Sequence, residues 1–291
     1  MGTQQTLERQ LNARKKLVDK TLLSLLRTTG AYKRFPMLDN SLKHTLLLKG
    51  KRLRPILALL TYELFEEDAA PILPVACALE LIHAGSLMLD DLPSMDNATY
   101  RRGEKTNHVL YGDATTILAS AALWVEAFGL LATSERGREL SQETTRHIGK
   151  DGLVLGQYMD LFAFNKKQSI SELERCYELK TGTLFRLATT YGAILGGASK
   201  KELAALQDFG AAFGLAYQIR DDIIDATETI EQSGKDAQKD ADNHKPNYVS
   251  LLGLEGAKKA LQAELERALN ELSRLPRETS VLKQLVAAIS L

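Results

Sequence analysis

Residues 72–96 read ILPVACALELIHAGSLMLDDLPSMD, and this segment is the main evidence for the fold class. The part before the aspartates is apolar nearly all round at helical spacing, which predicts a long helix buried on every side. The helix ends in an acidic cluster, DDLPSMD, at residues 90–96. Because Pro93 disfavours continuation of the helix, we expect Asp96 to fold back beside Asp90.

A second acidic cluster, DDIID, occupies residues 221–225. Asp221 and Asp225 are four residues apart and share one face of a predicted helix, with Asp222 beside them and Gln218 on the same face. Like charges crowded onto apolar helices are costly unless a cation neutralises them. Carboxylate oxygens without a nearby thiolate or imidazole suit Mg²⁺, which bridges to phosphate groups.

Cations precede and follow the first cluster. Residues 50–55, GKRLRP, place a glycine break and a basic turn at the start of a predicted helix, where Lys51 and Arg54 would meet on one side. Because cations oppose the helix dipole there, we expect an anion to bind. His83 lies seven residues before Asp90, about two turns back on nearly the same face.

Further cations and polar groups lie near both clusters. Arg101 and Arg102 follow the first cluster after a short loop, and the planar fork of arginine suits bidentate contact with phosphate. Lys180 and Thr181 interrupt a helix predicted over residues 170–195. Together these residues indicate a cavity with the acidic clusters at its mouth, metal ions between those clusters and cationic side chains on both sides.

The rest of the sequence is also typical of helices. It has seven prolines in 291 residues, and strand signals are nearly absent. Apolar residues recur at helical spacing over residues 7–26, 37–48, 55–65, 72–89, 115–131, 139–162, 170–195, 200–230 and 256–272. Neither a repeat nor a composition shift divides the chain, so we expect one all-α domain over residues 1–291.

Composition excludes some classes of partner. Lys plus Arg equals Asp plus Glu at 37 each, so no basic field recruits nucleic acid. Cys77 and Cys176 lie in apolar helical contexts and are expected to be buried thiols of a reducing compartment. Residues 1–20 are polar, and by inspection no apolar run approaches the ~18 residues of a spanning helix. We therefore expect a soluble cytoplasmic protein without stable membrane insertion.

At this point the sequence resembles the trans-isoprenyl diphosphate synthase (polyprenyl synthetase) family. The segments that carry the resemblance are residues 50–55, 80–103, 156–160 (GQYMD), 180–182 (KTG) and 218–225 (QIRDDIID). The resemblance implies an all-α bundle of ten or more long helices around a deep central cavity, and a homodimer. It also implies condensation of isopentenyl diphosphate with dimethylallyl, geranyl or farnesyl diphosphate, giving farnesyl diphosphate and free diphosphate.

The resemblance further implies residue roles. Mg²⁺, as three ions with Mn²⁺ as a substitute, would be held by Asp90, Asp96 and Asp221, with Asp91, Asp222 and Asp225 in support. Isopentenyl diphosphate would be held by Lys51, Arg54, His83 and Arg102. The allylic diphosphate would be held by Arg101, Lys180, Thr181, Gln218 and Lys235. Lys180 and Arg101 would act with the six aspartates in catalysis, by pulling off the allylic diphosphate.

One position bears on product length. Gly85 lies five residues before Asp90, where short-chain members of the family often carry an aromatic that closes the tail pocket. A glycine there, next to Ser86, is expected to deepen the pocket, so a geranylgeranyl product is the alternative to farnesyl diphosphate. Trp124, in the apolar stretch 117–131, is expected to build either the core or a dimer face.

Three other functions compete with this interpretation. A class I terpene cyclase needs only one aspartate-rich motif and no site for a second diphosphate, so Lys51, Arg54 and His83 argue against it. A di-iron carboxylate bundle would need a second Glu-x-x-His pair in addition to Glu80 and His83, and the sequence has none. A non-catalytic synthase subunit would be expected to have lost one aspartate motif, yet both are present.

Overall fold

The computed structural model describes residues 2–26, 34–162, 169–227 and 245–290. Within these ranges the regular backbone is helical apart from one short hairpin, so the all-α prediction is confirmed. In chain order the elements are α1 (Gly2–Leu25), α2 (Pro36–Leu47), α3 (Leu53–Tyr62), α4 (Leu73–Asp90), β1 (Tyr100–Arg101), β2 (Glu104–Lys105), α5 (Asn107–Tyr111), α6 (Asp113–Ala132), α7 (Gly137–Ile148), α8 (Leu153–Phe162), α9 (Ile170–Tyr177), a π-helical turn (Glu178–Gly182), α10 (Thr183–Leu195), α11 (Lys200–Thr227), α12 (Tyr248–Ser273) and α13 (Ser280–Ala288).

The chain forms two compact units. The first unit comprises Met1–Leu59 and Asp68–Ser141, and the second comprises Leu60–Glu67 and Gln142–Leu291. In the first unit α4 is the central helix and packs against α1, α2 and α6. In the second unit α11 packs against α10 and α12. The single domain expected over the whole chain stays a prediction.

Two helices are long and apolar enough to cross a membrane by length and composition alone. They are Leu73–Asp90, with 61% of its residues buried, and Asp113–Ala132, with 33%. This corrects the expectation that no apolar run approaches that length. The burial of α4 explains its apolar character as that of a core helix, whereas α6 leaves much of its apolar surface exposed.

Breaks between helices follow local chemistry. The helix predicted over residues 139–162 is divided into α7 and α8 by a turn that contains Gly152, where only glycine fits. A Cβ there would lie 1.9 Å from the His147 carbonyl oxygen. The predicted interruption at Lys180 is confirmed, since this residue lies in the π-helical turn, a feature frequent at functional sites.

The hairpin was not predicted. Strand β1 pairs antiparallel with β2 across Arg102-Gly103. Both turn residues have positive φ, 56° at Arg102 and 82° at Gly103, as a type I′ turn requires. The turn therefore fixes the backbone direction of Arg102. Helices α5 and α13 were also not predicted. Cys77 and Cys176 are buried free thiols, as expected.

Candidate active site

The first acidic cluster folds back at the end of α4. The Asp96 amide N–H donates to the Asp90 carbonyl oxygen at 2.9 Å, which confirms the predicted reversal. Asn97 then adopts a left-handed conformation with φ of 49°, and the Ala98 amide donates to the Asp91 carbonyl oxygen. Positive φ outside glycine is uncommon and concentrates at functional sites. The reversed loop thus keeps the backbones of Asp90, Asp91 and Asp96 close together.

Arg101 is held in place by Asp91. The Arg101 Nε donates to both carboxylate oxygens of Asp91 at 2.9 Å, and Nη2 donates to Oδ1 at 2.6 Å. Burial raises the pKa of Asp91 above its ordinary value, although the guanidinium favours the charged form. The Arg101 Nη2 also lies 3.9 Å from Asp90 Oδ2. Asp91 therefore positions an arginine beside the cluster, a pairing that the sequence did not indicate.

A cationic group in the first unit surrounds His83. The Arg54 Nη1 donates to the His83 Nε2 at 3.3 Å. A Cβ at Gly50 would lie 2.6 Å from the Arg102 Nη1, so the glycine makes room for this guanidinium. Burial, followed by the charges of Arg54 and Arg102, lowers the pKa of His83 well below its ordinary value. The structure thus brings together Arg54, His83 and the turn that carries Lys51.

Arg52, between the two predicted ligands Lys51 and Arg54, has a different role. Its guanidinium is buried and donates to Asp19 at 2.8 Å, to Glu80 at 2.7 Å and to the Leu46 carbonyl oxygen at 2.8 Å. Such full pairing offsets the cost of burying its charge. Arg52 therefore anchors the basic turn to α1 and α4. The sequence reasoning missed this network, because its members come from distant segments.

In the second unit, a chain of hydrogen bonds joins the π-helical turn to the second acidic cluster. The Thr181 hydroxyl donates to the Gln218 Oε1 at 3.0 Å, and the Gln218 Nε2 contacts the Asp222 Oδ1 at 3.3 Å. The Tyr177 hydroxyl and the Tyr248 amide donate to the Asp222 Oδ2 at 2.9 and 3.0 Å. Burial raises the pKa of Asp222 to about 6 despite these donors. Asp222 is therefore engaged with protein groups.

Asp160 forms ion pairs with two lysines. The Lys180 and Lys245 ammonium groups donate to the Asp160 Oδ2 at 2.7 and 2.8 Å. Burial alone would raise the pKa of Asp160, but the two lysines outweigh it and hold the pKa below its ordinary value. A Cβ at Gly156 would lie 2.4 Å from the Lys180 backbone nitrogen, so glycine permits the close approach of α8. The available signal for this missed residue was the GQYMD segment at residues 156–160, which carries the family resemblance.

Gly85 lies directly against a side chain of α6. A Cβ at Gly85 would lie 2.5 Å from the Trp124 Nε1, so the indole occupies the space of the missing side chain. The neighbouring Ser86 hydroxyl turns back and donates to the His83 carbonyl oxygen at 2.8 Å. The expectation that glycine at position 85 deepens the pocket stays a prediction.

The carboxylates fit magnesium by their donor chemistry. Among the residues that the structure describes, no three His, Cys, Asp or Glu side chains already form a group that could hold a metal ion. However, Mg²⁺ is usually held by one or two carboxylates, with waters and substrate phosphates completing its shell. Asp90 and Asp96 on one turn, and Asp221 and Asp225 on one helix face, meet that requirement. Lys235 lies outside the described residues, so its role stays a prediction.

Comparison with known proteins agrees with this fold and these motifs. The family described as polyprenyl synthetase matches residues 35–289. The farnesyl diphosphate synthase of Geobacillus stearothermophilus is 39% identical, over 92% of this chain and 92% of that protein. Geranylgeranyl pyrophosphate synthase 6, mitochondrial, of Arabidopsis thaliana is 40% identical over 77% of this chain and 70% of its own.

A solved structure supports the same assignment. The apo structure of an FPP/GFPP synthase from Zymomonas mobilis has a TM-score of 0.86 and 32% identity, and covers 98% of this chain and 99% of that one. The fold and motifs therefore define an all-α prenyltransferase of the isoprenoid synthase type. The chain belongs to the polyprenyl synthetase family.

Proposed function

We propose that the protein condenses isopentenyl diphosphate with an allylic diphosphate and that its product is farnesyl diphosphate. The observation that carries the proposal is the presence of two aspartate-rich motifs together with a separate cationic group around His83, which suits a second diphosphate. The glycine that suggested a longer product is covered by Trp124. Similarity to the farnesyl diphosphate synthase of Geobacillus stearothermophilus supports the fifteen-carbon product.

The cationic group around His83 would hold isopentenyl diphosphate. Arginine forks at 54 and 102 suit bidentate phosphate contact, and Lys51 adds a point charge. Because the His83 Nε2 accepts from Arg54, the proton of the neutral ring resides on Nδ1. His83 therefore positions Arg54 without adding a positive charge that would repel the guanidinium.

On the basis of the family resemblance, the allylic diphosphate would be bound by cationic and polar side chains. These groups are Arg101, Lys180, Thr181, Gln218 and Lys235. The allylic C–O bond breaks and its electron pair leaves with the diphosphate, and the double bond of isopentenyl diphosphate attacks the allylic carbon. The proton lost from the adjacent carbon passes to the released diphosphate. Arg101, held by Asp91, and Lys180, held by Asp160, would stabilise the departing diphosphate, because their positions are set before the reaction.

Magnesium would be held by Asp90, Asp96 and Asp221, with Asp225 in support. When bound, Mg²⁺ neutralises and orients the diphosphate oxygens. We propose three ions, with Mn²⁺ as a substitute, on the basis of the family resemblance. Asp91 and Asp222 would act indirectly, because their oxygens accept hydrogen bonds from Arg101 and from Tyr177 and Tyr248.

The direct test is product analysis by mass spectrometry. The purified protein is incubated with isopentenyl diphosphate, Mg²⁺ and each of dimethylallyl, geranyl and farnesyl diphosphate. We expect a fifteen-carbon diphosphate from the two shorter primers, lost on chelation and restored by Mg²⁺. Asp221→Asn should abolish it, whereas Asp113→Asn, at a side chain that is 59% exposed, should not.

The rival functions predict other outcomes. A hydrocarbon released from a single allylic diphosphate would indicate a terpene cyclase. No turnover with any primer, from folded and metal-supplemented protein, would indicate a non-catalytic subunit. Either result would overturn the proposal.

We also propose a soluble cytoplasmic homodimer that pairs through α6. Ile117, Leu118 and Val125 are 47, 62 and 70% exposed, an apolar face unusual for a monomer. The alternative for this face is a lipid surface. Sedimentation should give a dimer without detergent, and Leu118→Glu should shift it towards monomer. Binding of the wild type to lipid vesicles as a monomer would contradict the proposal.

A further inference from the structure

Gly85 and Trp124 form one interlocked contact between α4 and α6. A Cβ at Gly85 would come within 2.5 Å of Trp124 Nε1 and 2.6 Å of Trp124 Cδ1. Real Cβ atoms do not approach ring atoms so closely, so any side chain at position 85 would have to displace the indole. The Trp124 ring on α6 therefore occupies the space that a side chain at position 85 of α4 would occupy.

The ring is fixed by polar contacts with the backbone of α4. The Trp124 Nε1–H donates to the Ile82 carbonyl oxygen at 3.1 Å. One turn earlier on α6, the Ser120 hydroxyl donates to the Gly85 carbonyl oxygen at 2.9 Å. A large ring with its single donor satisfied is a rigid wall, because few rotamers preserve both the packing and the bond.

We infer that Trp124 sets the product length by closing the tail pocket at the level of residue 85. This inference rests on the proposed prenyl elongation. A diphosphate held at Asp90 is separated from Gly85 by five residues, or about 7.5 Å along α4. A growing tail that runs down α4 meets the indole there. The small residues Gly85 and Ser86 then do not widen the pocket. Trp124 covers Gly85, and the Ser86 hydroxyl hydrogen-bonds to the backbone of its own helix.

The test separates ring bulk from the hydrogen bond. Trp124→Ala should raise the ratio of twenty-carbon to fifteen-carbon product by about 10- to 200-fold, the range over which a hydrophobic pocket discriminates by size. Trp124→Phe loses the bond to Ile82 but keeps a ring, so fifteen carbons should remain the main product. Leu23→Ala, which removes an apolar side chain that is 57% exposed on α1, is the control and should not change the ratio.

A rescue variant distinguishes a wall from general loosening. In Gly85→Phe/Trp124→Ala the aromatic returns to the same space from α4, and fifteen-carbon product should be restored. Trp124→Leu provides a second route if the alanine variant does not fold, with an intermediate shift expected. Circular dichroism and the melting temperature establish folding for each variant.

Two failures remain distinguishable. If the wild type condenses the substrates but neither Trp124→Ala nor Trp124→Leu lengthens the product, the inference is overturned and the proposed function stands. Lengthening by Trp124→Ala that the added phenylalanine does not reverse would also overturn it. If the wild type forms no prenyl diphosphate at all, it is the proposed function that fails.

Discussion

The two aspartate-rich motifs both contain an adjacent pair of aspartates, yet the buried member of each pair is stabilised differently. In the first motif Asp91 is ion-paired with Arg101 through three short contacts. In the second motif the described donors to Asp222 are neutral, namely the Tyr177 hydroxyl, the Tyr248 amide and the Gln218 side chain. Within the described ranges, therefore, Asp91 has a counter-ion, whereas Asp222 has neutral donors.

Under the proposed function, this difference separates aspartates that would bind metal from those that support other groups. Adjacent residues at a helix end point about 100° apart, so one of each pair faces inward. The inward carboxylate must be hydrogen-bonded by protein to offset its desolvation. The outward ones, Asp90 and Asp221, are half-buried, as a group shared between protein and substrate should be. Adjacent aspartates of one motif would thus have different roles, the outward one towards metal and the inward one towards protein groups.

The largest expected effect is on catalysis. Asp90→Asn should lower kcat by about 10²- to 10³-fold, the loss seen when one stabilising group of a transition state is removed. Its free energy of unfolding should hold within about 0.5 kcal/mol or rise, since the change relieves repulsion from Asp91 and Asp96. Steady-state kinetics and urea unfolding measure the two quantities. Equal loss of activity and stability would mean that Asp90 is structural.

The next effect is on stability, at the buried member of the first pair. Asp91→Asn removes the counter-ion of Arg101 and should lower the free energy of unfolding by about 3 kcal/mol, since it leaves a partly buried guanidinium without its charge partner. Urea unfolding near neutral pH is the measurement, and Asp113→Asn is the exposed control. A loss below about 0.5 kcal/mol would show that Arg101 finds another anion.

A smaller effect is expected at the matching position of the second pair. Asp222→Asn keeps an acceptor for Tyr177 and Tyr248 and removes a charge whose burial is unfavourable. We expect a change of no more than about 1 kcal/mol in either direction. The same unfolding assay applies. If the change matched that of Asp91→Asn, the contrast between ion pair and neutral donors would not hold.

Local features of the site could be predicted from the sequence, but its long-range partners could not. Pro93 indicated the reversal at Asp96, and the Lys-Thr-Gly break indicated an interruption at residue 180, because both depend on the chemistry of a few neighbouring residues. The contact of Lys245 with Asp160 spans 85 positions, and that of Trp124 with Gly85 depends on how α6 packs on α4. Helical periodicity defines faces and does not specify which faces meet.

The smallest effects are pH dependences of opposite sign. The pKa of His83 is lowered in the folded protein, so the unfolded chain binds its proton first as pH falls below 6.5, and stability is lost on acidification. The pKa of Asp222 is raised to about 6, so the folded protein binds its proton first, and stability is gained as pH falls through 6 towards 3.8. Between pH 7.5 and 5.5 each contributes about 1 kcal/mol.

Variants at the two positions should therefore change the pH profile of unfolding in opposite ways. Relative to wild type, His83→Gln should lose less stability on acidification, and Asp222→Asn should lose more. Urea unfolding at both pH values gives the difference within each variant, so any constant cost of the substitution cancels. An Asp222→Asn profile parallel to that of wild type would mean that Asp222 stays charged in the folded protein over this pH range. In that case neutral donors would stabilise a carboxylate as well as an arginine does.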